Sequence, residues 1–268
     1  MLFQIKAYLN FLWNSKNQHG VHSPFVYSLV TKCFYDKKPK AEYKILKQYR
    51  NNLLQNKKTI EVTDFGAGSR VFKSNKRQIS KIAETAGITR KRAELLFRIV
   101  NYFQPDPSDS ELAEQSILEI GTSLGLATSA LSLGNPKAKI TTLEGCPETS
   151  GVAQKQFQKF NFNNIESVVT EFTEYFKNSR LNTEHYQLIY FDGNHSKKAT
   201  LEYFEFLLPT VTNDTVWIFD DIHWSEEMEE AWEAIKQHPK VKVTIDTFQW
   251  GLVFFRYEQE REDFIIRI

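Results

Sequence analysis

The chain has 268 residues, of which 41% are hydrophobic and 25% charged, so it contains enough apolar material for a folded core. Its 34 Lys and Arg residues balance 33 Asp and Glu residues, and the net charge of +1 creates no global field that would attract nucleic acid. Cys33 and Cys146 are too few for a disulfide framework and indicate a reducing compartment. We therefore expect a cytoplasmic globular protein.

The N-terminal segment predicts an amphipathic helix, because Leu2, Ile5, Leu9 and Leu12 recur at helical spacing. No stretch reaches the roughly 18 apolar residues that a membrane span requires, and no cleavage site of a signal peptide follows. We expect the helix to pack on the domain or on a second subunit, which leaves a homodimer open. A helix lying on a membrane surface is the alternative.

The chain changes character near residue 105. Before it we predict helices at Phe25–Tyr35, Lys40–Leu54 and Arg90–Phe103. After it, strands are predicted at Ile117–Ile120, Ile140–Glu144, Ile165–Thr170, Leu188–Asp192, Val216–Asp221, Val243–Phe248 and Leu252–Phe255. The helices between them are predicted at Ala127–Leu133, Glu148–Phe160, Glu171–Ser179, Ala199–Leu208 and Glu226–Gln237. Strands that alternate with helices indicate a parallel sheet.

The last two strands depart from this rhythm. Only Gln249–Gly251 separate them, which is too short for a crossover helix, so they are predicted to form an antiparallel hairpin. The expected fold is α/β, with a seven-stranded, mostly parallel sheet and a C-terminal hairpin. Turn-forming residues at Pro105–Ser110 suggest a boundary between a helical N-terminal extension or lid, residues 1–104, and a ligand-binding domain, residues 105–268.

Two glycine segments resemble nucleotide-binding loops, Glu61–Ser69 and Ile117–Leu131. The first segment is followed by a polar, basic stretch. We therefore interpret it as a surface turn or as a loop that folds over a ligand. In the second, a buried strand leads into Gly121 and Gly125, which allow close backbone approach, and a helix of small residues follows. The next strand ends in Glu144, an acid placed to bind ribose hydroxyls. The G-x-G-x-x-G spacing of dinucleotide dehydrogenases is absent.

From about Arg90 to the C-terminus the sequence resembles the class I S-adenosylmethionine-dependent methyltransferases, which have a Rossmann-like fold. The resemblance implies S-adenosylmethionine as the cofactor. Glu119 would lie near its methionine end, Glu144 would hold its ribose and Glu171 would contact its adenine. Ser123 stands where the usual loop has its middle glycine. The cofactor-binding residues implied in this way are Glu119, Gly121, Thr122, Ser123, Gly125, Glu144, Glu171 and Asp192.

Carboxylates follow two neighbouring strands of the predicted sheet. Asp192 ends the fourth strand, with His195 three residues later, and Asp220 and Asp221 end the fifth, with His223 nearby. Burying like charges together is costly unless a cation or a shared proton offsets the repulsion. Oxygen ligands in this number suit Mg²⁺, Mn²⁺ or Ca²⁺. The alternative is that these acids cap the following helices or orient the cofactor.

These residues sharpen the resemblance to the cation-dependent O-methyltransferases of the catechol and caffeoyl-coenzyme A type. The resemblance implies metal binding by Asp192, Asp220 and Asp221, and general-base catalysis at His195, where the family normally has a lysine. The implied reaction is methyl transfer to an oxygen of a small phenolic or hydroxylated acceptor, with the divalent cation bound to that oxygen. A metal-independent methyltransferase that acts on nitrogen or on RNA is the alternative.

One segment concentrates positive charge, between Arg70 and Arg98, and its two helix patterns joined at a glycine turn resemble a helix-turn-helix. A non-catalytic module that binds a nucleoside or DNA is therefore a further hypothesis, whereas a solvated helix face is the simpler interpretation and does not call for a nucleic-acid partner. His223 is interpreted as a histidine that flanks the following helix, with a role as base or ligand as the alternative, and the role of Glu61–Ser69 stays open.

Overall fold

The computed structural model describes residues 2–63, 74–104, 115–178 and 185–268. The predicted boundary at Pro105–Ser110 and most of the glycine segment Glu61–Ser69 lie outside the described residues, as do Arg70 and Lys73 of the basic segment.

The helices and strands are as follows. The α-helices are α1 (Leu2–Asn14), α2 (Pro24–Leu29), α3 (Glu42–Gln55), α4 (Ile79–Thr85), α5 (Arg90–Tyr102), α6 (Leu126–Gly134), α7 (Pro147–Lys159), α8 (Phe172–Asn178), α9 (Lys197–Leu207) and α10 (Glu226–Gln237). The strands are β1 (Thr59–Glu61), β2 (Lys76–Gln78), β3 (Ser116–Ile120), β4 (Lys139–Glu144), β5 (Ile165–Val169), β6 (Leu188–Phe191), β7 (Val216–Asp220), β8 (Val243–Asp246), β9 (Trp250–Phe254) and β10 (Glu262–Ile265). Single-turn 3₁₀ helices occur at Gln18–Gly20 and Leu208–Thr210, and a π-helical turn at Val30–Phe34.

The central sheet confirms the predicted α/β fold. Its strand order is β10-β8-β9-β7-β6-β3-β4-β5, and β9 is the strand that runs antiparallel to its neighbours β7 and β8. The chain moves from β3 through β4 to β5 on one side, then returns to place β6 and β7 on the other. The strand order therefore reverses between β3 and β6, where open α/β sheets bind their ligands.

The structure corrects the strand count: the sheet in the described residues has eight strands, whereas seven were predicted. The additional strand, β10, pairs in parallel with β8 at the edge. Its first two residues, Glu262 and Asp263, are exposed and Phe264 is buried, so it lacks the apolar run that identified the other strands. The short polar hairpin of β1 and β2 was also not predicted, whereas α4 corresponds to the first helix pattern of the segment that resembles a helix-turn-helix.

The N-terminal helices pack on the sheet rather than forming a separate core. Val26, Leu46 and Leu53 belong to the same hydrophobic cluster as the sheet residues Ile117 and Ile140. A second cluster, on the opposite face, joins the sheet to α9 and α10. The division into an extension and a domain at residue 105 stays a prediction.

Helix α1 buries one side and leaves the other exposed. Ala7 and Phe11 are buried, whereas Leu2, Leu9 and Trp13 are largely exposed. None of the described helices combines the length and apolarity that crossing a bilayer requires. The predicted homodimer contact of this helix stays a prediction.

Candidate active site

The glycine turn after β3 lies against the end of β6, at the point where the strand order reverses. The Asp192 amide donates to the Ile120 carbonyl at 2.8 Å. Gly121 has a φ of +101°, and a Cβ atom there would lie 2.3 Å from the Asp192 carbonyl oxygen. This position thus requires glycine for its backbone conformation and for the close approach of the two strand ends.

The end of the same turn is packed from the N-terminal region. Gly125 has a φ of +76°, and a Cβ atom there would lie 2.5 Å from the Phe157 ring and 2.6 Å from the Tyr49 hydroxyl. The Tyr49 hydroxyl, on α3, donates to the Leu124 carbonyl at 2.9 Å. Helix α3 therefore supports the turn directly, a contact that the sequence did not indicate.

Glu144, at the end of β4, holds the turn to the start of α7. Its Oε2 accepts from the Ser123 amide at 2.8 Å, and its Oε1 accepts from the Cys146 amide at 2.9 Å. Ser123 has a φ of +49°, the left-handed conformation, in the place of the usual glycine. The Glu144 carboxylate therefore lies directly against the glycine turn.

Glu119 lies beneath the turn, fully buried. The Thr128 and Thr142 hydroxyls donate to its Oε2, each at 2.5 Å, while its Oε1 has no partner among the described residues. Burial raises the pKa of Glu119 to about 8, against the effect of the two threonine hydrogen bonds. Thr122 is buried too, with its hydroxyl 2.5 Å from that of Thr142. Glu119 and Thr122 thus belong to one buried hydrogen-bonded group with Thr128 and Thr142, at the base of the turn.

The remaining cofactor prediction, Glu171, lies between β5 and α8 with an exposed side chain. Its carbonyl accepts from the Tyr175 amide. The assignments of all eight cofactor-binding residues stay predictions.

His195 and Asp192 form a pair at the end of β6. The Nε2 of His195 lies 3.4 Å from the Asp192 Oδ1, and both side chains are at least three-quarters buried. Burial lowers the pKa of His195, but its hydrogen bond to Asp192 and the nearby carboxylate charges outweigh that effect and raise it to about 9. Burial and the charge of Asp220 raise the pKa of Asp192 to about 7. Burial and the charge of Asp220 also raise the pKa of Asp221, to about 6.

Asp220, at the end of β7, is 3% exposed and has donors on both oxygens. Its Oδ1 accepts from the Arg92 guanidinium and from the Asp221 amide, the latter at 2.8 Å. Its Oδ2 accepts from the Tyr190 hydroxyl at 2.8 Å. Arg92 comes from α5, and its guanidinium carbon lies 5.1 Å from the centre of the Trp250 ring.

This arrangement does not fit the predicted divalent cation. A metal needs carboxylate oxygens that face one point, but Asp220 is already paired with the positively charged Arg92 guanidinium, which would repel a cation at the same oxygens. Over the described parts of the chain, no group of three or more His, Cys, Asp or Glu side chains is placed to hold a metal ion. The structure brings Asp192, Asp220 and Asp221 to one sheet edge, as predicted, but the metal site is not confirmed.

A small pocket lies beside this charged cluster, where β6 and β7 meet α9 and α10. It is lined by Phe191, Gly193, His195, Thr200, Tyr203, Phe219, Asp220 and Met228.

The sequence missed Arg92 as a site residue because it was read as one charge of the basic segment. A signal was present, since Leu96 and Ile99 follow it by four and seven residues and are buried on α5. Arg98 also faces inward and donates to the carbonyls of Cys33 and Phe34. Two of the arginines that suggested nucleic-acid binding therefore make contacts within the fold.

His223 lies outside the carboxylate cluster. Its Nε2 is 2.8 Å from the Asp246 Oδ2, and its ring stacks on Phe248 with centroids 5.3 Å apart. Its Nδ1 also lies 3.8 Å from the Glu229 Oε2, so its contacts are with β8, the hairpin turn and α10.

Comparisons with known proteins agree with this geometry. A family model described as a methyltransferase domain matches residues 118–222. No curated protein matches the chain in sequence. The fold is similar to that of a Podospora anserina methyltransferase bound to S-adenosylhomocysteine, with 12% identity, a TM-score of 0.57, and coverage of 88% of this chain and 97% of that one.

Two bacterial structures show the same fold. An O-methyltransferase from Bacillus cereus in complex with S-adenosylhomocysteine is 16% identical, with a TM-score of 0.52 and coverage of 85% of this chain and 94% of that one. A putative caffeoyl-CoA O-methyltransferase from Staphylococcus aureus is also 16% identical, with a TM-score of 0.54 and coverage of 66% and 88%.

Proposed function

We propose that this chain, in which residues 118–222 match a methyltransferase domain, transfers a methyl group from S-adenosylmethionine to an oxygen atom of a small phenolic or hydroxylated acceptor. The observation that carries the proposal is the glycine turn at the strand-order reversal, with the Glu144 carboxylate against the turn and the His195–Asp192 pair beside it. The solved structures of similar fold that are named O-methyltransferases support the choice of oxygen.

The cofactor side uses backbone and carboxylate groups. Gly121 and Gly125 let the turn approach a bound S-adenosylmethionine, whose sulfonium supplies the methyl group. The amide of Ser123 and the carboxylate of Glu144 present a donor and an acceptor next to that turn. We assign the ribose hydroxyls to Glu144, because its carboxylate lies at the end of β4, directly against the glycine turn. Glu119 links β3 to α6 and to β4 through the Thr128 and Thr142 hydroxyls.

The acceptor side handles the proton. We assign the general base to His195, whose Nε2 is held by Asp192, so that Nδ1 is the nitrogen that takes the acceptor proton. As the acceptor O–H bond breaks, its proton goes to Nδ1 and its oxygen forms the new bond to the methyl carbon. The electron pair of the broken sulfur–carbon bond stays on sulfur, which leaves a neutral thioether. No step requires a metal ion.

Calorimetry with S-adenosylhomocysteine tests the cofactor half of this proposal. We expect binding in the micromolar range, weakened by about 1–3 kcal/mol in Glu144→Ala, because buried polar partners are left unpaired. Glu148→Ala, in the first turn of α7, is the matched control and should bind like the unchanged protein. A chain that binds no S-adenosylhomocysteine, or that prefers NAD, would contradict the proposal.

Radiolabelled methyl transfer from S-adenosylmethionine tests the acceptor half. Catechol, 4-nitrophenol and an aliphatic diol serve as oxygen acceptors, and a transfer RNA mixture and imidazole serve as nitrogen-containing competitors. We expect label in the phenols. Label in the RNA or in imidazole alone would establish the nitrogen or RNA alternative instead.

A further inference from the structure

Arg92 is placed unusually for a residue in a run of three basic residues. Its side chain is 18% exposed, and its guanidinium contacts Asp220, itself buried, across the end of the sheet. The neighbouring Arg90 is 55% exposed on its side chain and pairs with Glu94 on the same helix at 2.7 Å. Helix α5 thus directs one arginine into the carboxylate cluster and another toward solvent.

The surroundings hold the guanidinium in one position. Its plane lies near the Trp250 ring, at 5.1 Å, and the Trp250 ring packs edge-on against Tyr190 at 6.0 Å. Tyr190 in turn donates to the other oxygen of Asp220. Four side chains therefore contact one another in a ring: Arg92, Trp250, Tyr190 and Asp220. Within it, the guanidinium contacts both an aromatic face and a carboxylate.

Positively charged side chains of the protein offset most of the negative charge at this edge. Three carboxylates, those of Asp192, Asp220 and Asp221, lie with two side chains that carry positive charge, Arg92 and protonated His195. A buried carboxylate without a cation nearby is costly, and Arg92 meets that requirement for Asp220. An arginine is charged at every pH of interest, so it supplies this charge permanently.

We propose that Arg92 takes the place of a divalent cation in this transferase, holding Asp220 and binding the acceptor hydroxyl, so that methyl transfer proceeds without a metal. This proposal rests on the proposed function and concerns its acceptor site. A guanidinium has five N–H donors, of which those on one nitrogen, Nη2, contact Asp220, and the Arg92 side chain is 18% exposed. Arg92 therefore retains donors for an acceptor oxygen while it holds Asp220.

The use of a guanidinium in place of a divalent cation also restricts which acceptors can react. A divalent cation lowers the pKa of a bound oxygen strongly, whereas a guanidinium carries one delocalised charge and stabilises an oxyanion by hydrogen bonds. The acceptor hydroxyl must then be acidic by itself, which is true of phenols. A phenol with a single hydroxyl suffices, because no metal has to be chelated by two neighbouring oxygens.

Metal binding tests this proposal without any need for turnover. The purified full chain is titrated with Mn²⁺ and free Mn²⁺ is followed by electron paramagnetic resonance, with S-adenosylhomocysteine present and absent. We expect no stoichiometric binding below millimolar Mn²⁺. One Mn²⁺ bound per chain in the micromolar range would overturn the proposal. This readout stands even if no acceptor is found, so it separates failure of this proposal from failure of the proposed function.

Turnover with 4-nitrophenol gives the second test. Methyl transfer should be unchanged by EDTA, and loss of activity that Mg²⁺ restores would overturn the proposal. Arg92→Ala should lower turnover by about 10²–10³-fold, as loss of an oxyanion donor does, and added guanidinium chloride should restore part of it. Arg90→Ala is the control and should retain full turnover.

Arg92→Lys covers the case in which Arg92→Ala does not fold. It keeps the charge but not the planar fork, so we expect a turnover between those of the unchanged chain and Arg92→Ala, with Mn²⁺ still unbound. Full turnover in a folded Arg92→Ala or Arg92→Lys chain would show that the guanidinium has no role at the acceptor.

Discussion

The two halves of the site are built from different materials. The cofactor half, after β3 and β4, uses glycines, backbone amides and one acid, Glu144, which accepts two amide hydrogen bonds. The acceptor half, after β6 and β7, concentrates Asp192, His195 and Asp220 with a guanidinium. The cofactor half depends on backbone conformation, and the acceptor half depends on the pairing of its charged side chains. They should therefore respond to different perturbations.

Changing the pH and removing His195 test the acceptor half and should have the largest effect. Since the pKa of His195 is raised to about 9, the imidazole accepts a proton only above that pH, and kcat/KM should rise with pH toward a plateau above about 9. His195→Ala should lower turnover by about 10²–10⁴-fold and leave S-adenosylhomocysteine binding unchanged.

The pH profile is measured with phenols of different acidity, so that ionisation of the acceptor is separated from that of His195. A profile that is flat between pH 7 and 9, or that follows the acidity of the phenol alone, would contradict the assignment of His195 as the base. The stability contribution of the raised pKa has the opposite direction: it is present below the unfolded value near 6.5 and is lost as the pH rises through about 9.

Glu119→Gln tests the interior of the cofactor half. Burial raises the pKa of Glu119 from 4.5 to about 8, so the folded chain retains a proton that the unfolded chain loses. The free energy of unfolding should therefore fall as the pH rises from 4.5 to about 8, by roughly 4 kcal/mol from this group.

In Glu119→Gln that pH dependence should disappear, because the amide does not ionise, and the variant should be the more stable form at pH 8. Urea unfolding at pH 5, 6.5 and 8 measures both effects. Equal pH dependence in the two proteins would show that Glu119 is ionised in the folded chain.

Gly121→Ala tests the backbone of the cofactor half. A Cβ atom would lie 2.3 Å from the Asp192 carbonyl oxygen in a backbone conformation that L-residues rarely adopt, so we expect a loss of about 3 kcal/mol in the free energy of unfolding and weaker S-adenosylhomocysteine binding. Gly151→Ala, on α7, is the matched control, because nothing lies within 4 Å of its Cβ position. The control should be stabilised by about 0.5–1 kcal/mol, and an equally stable Gly121→Ala would contradict the close approach.

The contrast between the halves also explains what the sequence could predict. The glycine turn, the strand ends and the hairpin of β8 and β9 follow from local patterns, and most predicted bounds lie within one or two residues of the observed ones. The pairing of Arg92 with Asp220 joins residues that are distant in the sequence, and no local pattern specifies it. The same holds for Tyr49, which contacts the turn from α3. Strand β10 was not predicted, because it begins with exposed charged residues and lacks the continuous apolar run of the central strands.

The edge of the sheet beyond β8 closes with residues from both ends of the described chain. Lys16 pairs with Ile266, its amide donating to the Ile265 carbonyl at 2.8 Å, while the Arg267 amide donates to the Lys16 carbonyl at 3.0 Å. During synthesis these partners leave the ribosome at widely separated times, so the segment after α1 waits for β10 before its backbone is paired. Because closing a long loop of free chain costs entropy, this pairing benefits from the sheet strands that already hold the intervening chain together.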